Sequence, residues 1–94
     1  MPQVVELWQN YPNPFNSTTV IRFAVPQAGA VELAVYNLAG QRVAKPLAQE
    51  LAAGVYTAHW DGRDAKGRAL ASGVYIYQLQ TAAQVQRRKL LLLR

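Results

Sequence analysis

Apolar side chains recur at every second position through much of this 94-residue sequence. Gly, Pro or Asn interrupts the alternation about every 8–12 residues, the pattern of short strands in a sandwich or barrel. Thr18–Val25 places Ile21, Phe23 and Val25 on one face and Val20, Arg22 and Ala24 on the other. Ala30–Tyr36 does the same with Val31, Leu33 and Val35 against Glu32. Tyr56, Ala58 and Trp60 share a face of Gly54–Trp60, with His59 opposite them; Tyr75, Tyr77 and Leu79 share one of Gly73–Thr81, opposite Val74, Ile76 and Gln78. Such alternation suits sheets with one dry face and one wet face. Further strands are expected at Val4–Trp8, Gln41–Leu47 and Val85–Leu93, with Pro46 marking Gln41–Leu47 as an edge. Asn37–Gly40 reads as a tight hairpin turn. Ala48–Ala53 is rich in helix formers but too short for an independent helix, and reads as a loop or short turn.

Seven short strands in one small domain, residues 1–94, predict an all-β fold. The expected form is an immunoglobulin-like or fibronectin type III-like antiparallel β-sandwich. There is no cysteine, so neither the inter-sheet disulfide of antibody domains nor a thiolate metal site is available. Cohesion must come from inward aromatics, with Trp60 and Phe23 as the expected centre. No apolar run reaches the length of a membrane-spanning helix, and the first residues lack the pattern of a secretory leader. If a longer parent protein is exported, its leader is expected outside these residues.

Chemistry is restricted by what is missing. The single histidine is His59, the serines are Ser17 and Ser72, and the acids are Glu6, Glu32, Glu50, Asp61 and Asp64. A Ser72–His59–Asp64 triad can be drawn but lacks a nucleophile elbow, so no enzymatic activity and no cofactor are expected. The segment from Asp61 to Gly67 resembles a calcium loop only superficially. It has two carboxylates, lacks EF-hand spacing, and places Arg63 and Lys66 beside them, so turn chemistry is expected. The net charge of +5 is spread along the chain and carries no nucleic-acid recognition signature.

Two segments remain. Asn10–Asn16 holds two prolines and three asparagines and cannot be helical. It reads as a rigid turn carrying Tyr11 and Phe15 inward, either as a plug for one end of the sandwich or as a recognition surface. At the other end Arg87, Arg88 and Lys89 precede four leucines and Arg94. This is a charge-protected edge strand or a contact site. Because the leucines are consecutive, one pair, Leu91 and Leu93, must face outward unless a partner covers it.

Taken in order, these blocks resemble the type A C-terminal sorting domain of the type IX secretion system. Leu7–Asn16 is similar to its opening, and Thr19–Phe23, Val35–Gln41, Ala53–Tyr56 and Trp60–Asp64 to the middle blocks. Ala71–Leu79 is similar to the late block and Arg88–Arg94 to the basic–apolar–basic terminus. Ser17 stands where proline is common and Leu90 where methionine is frequent. Trp60–Leu79 is also similar to the immunoglobulin-like domain of flagellar hook-capping proteins, while the proline-rich opening and basic terminus favour the sorting domain.

The resemblance implies a non-catalytic address. It directs an N-terminal passenger through the periplasm and the outer-membrane translocon to the cell surface or medium, where sortase-like attachment machinery acts. The implied recognition residues are Gly73, Tyr75, Arg88, Lys89, Leu90, Leu91, Leu92, Leu93 and Arg94. Deleting Lys89–Arg94 is expected to block export and leave the rest folded. One alternative is a glycan-binding module of a secreted hydrolase, using exposed rings among Trp8, Tyr11, Tyr36 and Tyr56. The other is a structural stalk.

Overall fold

A computed structural model describes residues 3–94. Seven strands form: β1 (Glu6–Leu7), β2 (Thr19–Val25), β3 (Gly29–Tyr36), β4 (Arg42–Leu51), β5 (Gly54–Trp60), β6 (Gly73–Gln80) and β7 (Val85–Leu92). They make two antiparallel sheets, β1-β2-β5 and β4-β3-β6-β7. This is the sandwich expected from the alternation. β2 pairs with β5 from Thr19↔Trp60 to Val25↔Gly54, and β3 with β6 from Glu32↔Gln80 to Tyr36↔Ile76.

Local chemistry sets the turns. The Asn37 side-chain oxygen accepts the N–H groups of Ala39 and Gln41, and Gly40 takes φ 83°, so the β3–β4 hairpin closes as expected. At the β6–β7 hairpin the Thr81 hydroxyl accepts the N–H groups of Ala83 and Gln84.

The core lies between the sheets. Ile21, Phe23, Leu33, Val35, Tyr77, Leu79 and Leu92 are wholly buried, and Trp60 nearly so. Phe15, Trp60 and Tyr75 form an aromatic chain, with ring centroids 5.7 and 5.9 Å apart. Tilted and edge-on pairs at such spacings add to simple burial.

Three expectations need correction. Ala48–Leu51 is not a loop: β4 continues through it, because Gly29–Glu32 of β3 offer partners from Glu32↔Ala48 to Gly29↔Leu51. Cross-strand pairing overrides the helical preference of six residues. The first strand is shorter than Val4–Trp8, although Trp8 N–H still donates to the Arg22 carbonyl at 3.1 Å. Of the two turn aromatics, only Phe15 points inward (3% exposed); Tyr11 is 79% exposed. The physical reason is strand parity. Tyr11 exchanges both backbone hydrogen bonds with Val20, which lies on the outer face of β2, so its side chain emerges on that face.

Candidate functional site

The two segments singled out in the sequence meet in space. The proline-rich turn lies along the free side of β7. Gln9 Nε2 donates to the Lys89 carbonyl at 2.8 Å, and Leu91 N–H donates to Asn13 Oδ1 at 2.9 Å. Phe15 N–H donates to the Leu91 carbonyl at 3.1 Å, and Leu93 N–H to the Phe15 carbonyl at 2.9 Å. Further along, Gln86 Nε2 reaches the Val5 carbonyl at 2.8 Å, and Arg88 Nε reaches that of Leu7. Residues 5–15 therefore clasp the terminal strand.

A buried polar network fixes the clasp. The Tyr77 hydroxyl donates to the Trp8 carbonyl at 2.7 Å and accepts Asn10 N–H at 2.9 Å. Asn10 Nδ2 donates to Thr19 Oγ1 at 2.9 Å, and that hydroxyl donates to the Pro12 carbonyl at 2.9 Å. Among the described residues no buried side-chain polar atom lacks a partner. Burial pushes the Tyr77 phenol above its ordinary value, with Asn10 N–H and the Arg88 charge opposing that shift.

Within this frame the nine expected recognition residues separate by role. Leu90 and Leu92 are core, and Tyr75 is buried with its hydroxyl donating to the Ala71 carbonyl. Gly73 opens β6 at φ 157°, a conformation suited to glycine. Arg94 is tied inward: its N–H meets Ser72 Oγ at 2.8 Å, Nε meets the Leu70 carbonyl at 2.7 Å, and a second guanidinium nitrogen meets the Gly62 carbonyl. Arg88 spends its Nε on Leu7. Lys89, Leu91 and Leu93 remain on the outside, Leu91 half-buried and Leu93 49% exposed.

These three join residues that the terminal motif does not contain. Lys89 lies opposite Ile76, Leu91 opposite Val74 and Arg87 opposite Gln78, and Ile76 in turn lies opposite Tyr36 of β3. The Arg87 guanidinium lies across the sheet on Gln78 Oε1 at 2.7 Å. The outer face of β6 and β7 is thus an apolar strip beside unpaired cations. Among the described residues, none of Arg87, Arg88 and Lys89 has an ion-pair partner. Val74 and Ile76 were legible from the β6 alternation. Gly62 was not: at φ 70° it is buried, and a Cβ there would stand 2.7 Å from the Arg94 guanidinium.

The remaining candidates have structural occupations. Asp64 Oδ1 accepts the N–H groups of Lys66 and Arg68, and Oδ2 accepts Arg68 Nε at 2.9 Å. The Arg68 N–H chiefly holds the Asp64 carboxyl below its usual value, helped by Lys66 N–H and the Arg68 side chain. Asp61 Oδ1 accepts Arg63 N–H, so both acids act in the turn as expected. Among the described residues no cluster of three possible metal ligands occurs. No hydrogen bond links Ser72, His59 and Asp64. His59 is exposed on β5, and Ser72 Oγ serves Arg94. Of the four candidate glycan-stacking rings, Tyr11 alone is largely exposed. Trp8 lies under Arg22 at 5.2 Å, Tyr56 stacks on Phe23, and Tyr36 is half-buried on the other sheet.

No curated protein matches the sequence. Among solved structures the chain is similar to dimeric latent PorU from Porphyromonas gingivalis, at 18% identity and TM-score 0.75, covering 99% of this chain and 10% of that one. It is similar to PorZ from the same organism, described as an essential bacterial surface component of the type-IX secretion system. There the identity is 23% and the TM-score 0.62, covering 96% of this chain and 11% of that one. It is also similar to FlgD from P. aeruginosa, at 26% identity and TM-score 0.62, covering 79% of this chain and 58% of that one. This chain therefore spans about a tenth of the two Porphyromonas proteins and just over half of FlgD. The family model of the FlgD Ig-like domain matches residues 13–84, well over half of the chain, and the two antiparallel sheets agree with it: the protein belongs to the FlgD Ig-like domain family.

Proposed function

We propose that this domain is a non-catalytic sorting domain of the type IX secretion system, carrying an attached passenger to the cell surface or medium. The observation that carries the reading is the clasp. The opening block from Leu7 and the terminus from Arg88 both extend beyond the family match at 13–84, and they are hydrogen-bonded to each other. A stalk needs no such terminal lock. The fold shared with PorU and PorZ supports the same direction, since PorZ is a surface component of that secretion system. The translocon and a sortase-like attachment enzyme are the partners this reading requires.

The test is export of a fluorescent reporter with a periplasmic leader and residues 1–94 at its C-terminus. Surface reporter is expected in a host with a working type IX system and absent in the same host without it. Folded reporter held in the periplasm of both strains overturns the reading.

A further inference from the structure

We propose that the outer face of β6 and β7 is a composite docking surface for an acidic protein partner with an apolar strip, and that the terminus is recognised in its folded form. The proposal rests on the sorting reading and names the partner chemistry of that site.

A linear reading of the terminus conflicts with its burial. Leu90 and Leu92 are 1% and 0% exposed, and Arg88 and Arg94 bond inward to backbone carbonyls. A partner that meets the folded domain finds Lys89, Leu91 and Leu93 beside Val74 and Ile76, contributed by a different strand. Val74 is 38% exposed and Leu93 49%, so the strip still has apolar area to lose to a partner.

Charge sets the partner's sign. Arg87 and Lys89 flank the strip without ion-pair partners, whereas the face's one acid on β3, Glu32, sits 3.9 Å from Arg42. An acidic rim around an apolar strip complements this face. The clasp holds the β7 backbone on its free side at Lys89, Leu91 and Leu93, so little backbone freedom remains to be lost on docking. Protein is favoured over lipid because the strip is pleated and half-sunk, and presents no Trp or Phe wedge of the kind that enters a membrane interface.

The experiment compares wild type with L91E/L93E and R87E/K89E in the reporter assay, each purified and melted in parallel. Both variants are expected to melt as folded domains and to lose roughly tenfold or more of surface reporter, as when central interface side chains are removed. Should L91E/L93E fail to fold, R87E/K89E decides alone, since both its positions are exposed. Wild type that is not exported refutes the sorting reading itself. Wild type exported and folded variants exported equally overturns the docking face. Export of an unrelated folded protein bearing only residues 89–94 overturns recognition of the folded form. Two further results also overturn it: self-association in sedimentation that L91E/L93E abolishes points to a second copy, and binding to phosphatidylglycerol vesicles lost in both variants points to lipid.

Discussion

β4 and β7 are the two edges of one sheet, yet their open sides are closed by different means. On β4 the guard within the strand is Pro46, which removes a donor; Ala65 N–H, 22 positions on, adds a cap on the Val43 carbonyl at 3.1 Å. On β7 the guard is remote: Gln9 reaches Lys89 across 80 positions, and Asn13 and Phe15 close Leu91 and Leu93. An edge guarded locally survives changes elsewhere. An edge guarded by the other end of the chain exists only once the whole domain has closed, so the terminus is intact only in a folded protein. That coupling is what the proposed recognition of the folded terminus requires.

The comparison is broken most severely by removing the β7 core. Deleting Lys89–Arg94 takes out Leu90 and Leu92, both wholly buried, so the domain is expected to unfold rather than remain folded as the motif alone suggests. Leu90→Ala alone should cost about 2–5 kcal/mol, read by urea denaturation. Next comes the clasp itself. Phe15→Ala should cost about 3–5 kcal/mol, while Tyr11→Ala in the same turn should stay within about 0.5 kcal/mol. Equal melting temperatures for the two would remove the plug role of Phe15.

A smaller effect is expected from the network beneath it. Tyr77→Phe leaves Asn10 N–H and the Trp8 carbonyl without their shared partner and should cost about 1–3 kcal/mol. The pH dependence distinguishes the two edges. The Tyr77 phenol is raised in the folded state, so its contribution is complete below the ordinary value and is lost as pH rises through the folded one. Asp64, in the loop that caps β4, is lowered; its contribution is present above the ordinary carboxylate value and is lost as pH falls through the folded one. Melts in the alkaline range should therefore show a wild-type decline that Tyr77→Phe lacks, and acid melts should show one that Asp64→Asn lacks. Identical pH profiles in wild type and variants would dissociate the two groups from their edges. A smaller change is expected of Asn13→Ala, about 1 kcal/mol for one hydrogen bond to β7, whereas Pro46→Ala should leave stability nearly unchanged and raise aggregation instead. Light scattering of the two at equal concentration checks that contrast.

Much of this was legible locally. Period two fixed the faces of β2, β3, β5 and β6, because successive side chains on a strand point to opposite sides whatever surrounds them. Pro46 marked its edge, and Asn37 and Gly40 their turn, for reasons carried within a few residues. Ala48–Leu51 was misread for the complementary reason. Its helix-forming residues say nothing of the β3 partners that hold them extended. Tyr11 and Phe15 form a second case, since composition makes both core candidates and only pairing with Val20 turns one outward.

For the candidate site, the sequence by itself determined that the terminus is basic and apolar, that one leucine pair faces each way, and that the opening turn is rigid. Those are properties of residue type, of the strand period and of proline's fixed geometry. Only the tertiary structure decided that the opening turn lies on the terminal strand, that Arg94 is held by Gly62 and Leu70, and that Lys89, Leu91 and Leu93 share a face with Val74 and Ile76. Such contacts join residues far apart in the chain, and no local preference encodes them. They arise when burying the shared apolar core brings the two ends of the sequence to the same side of the sandwich.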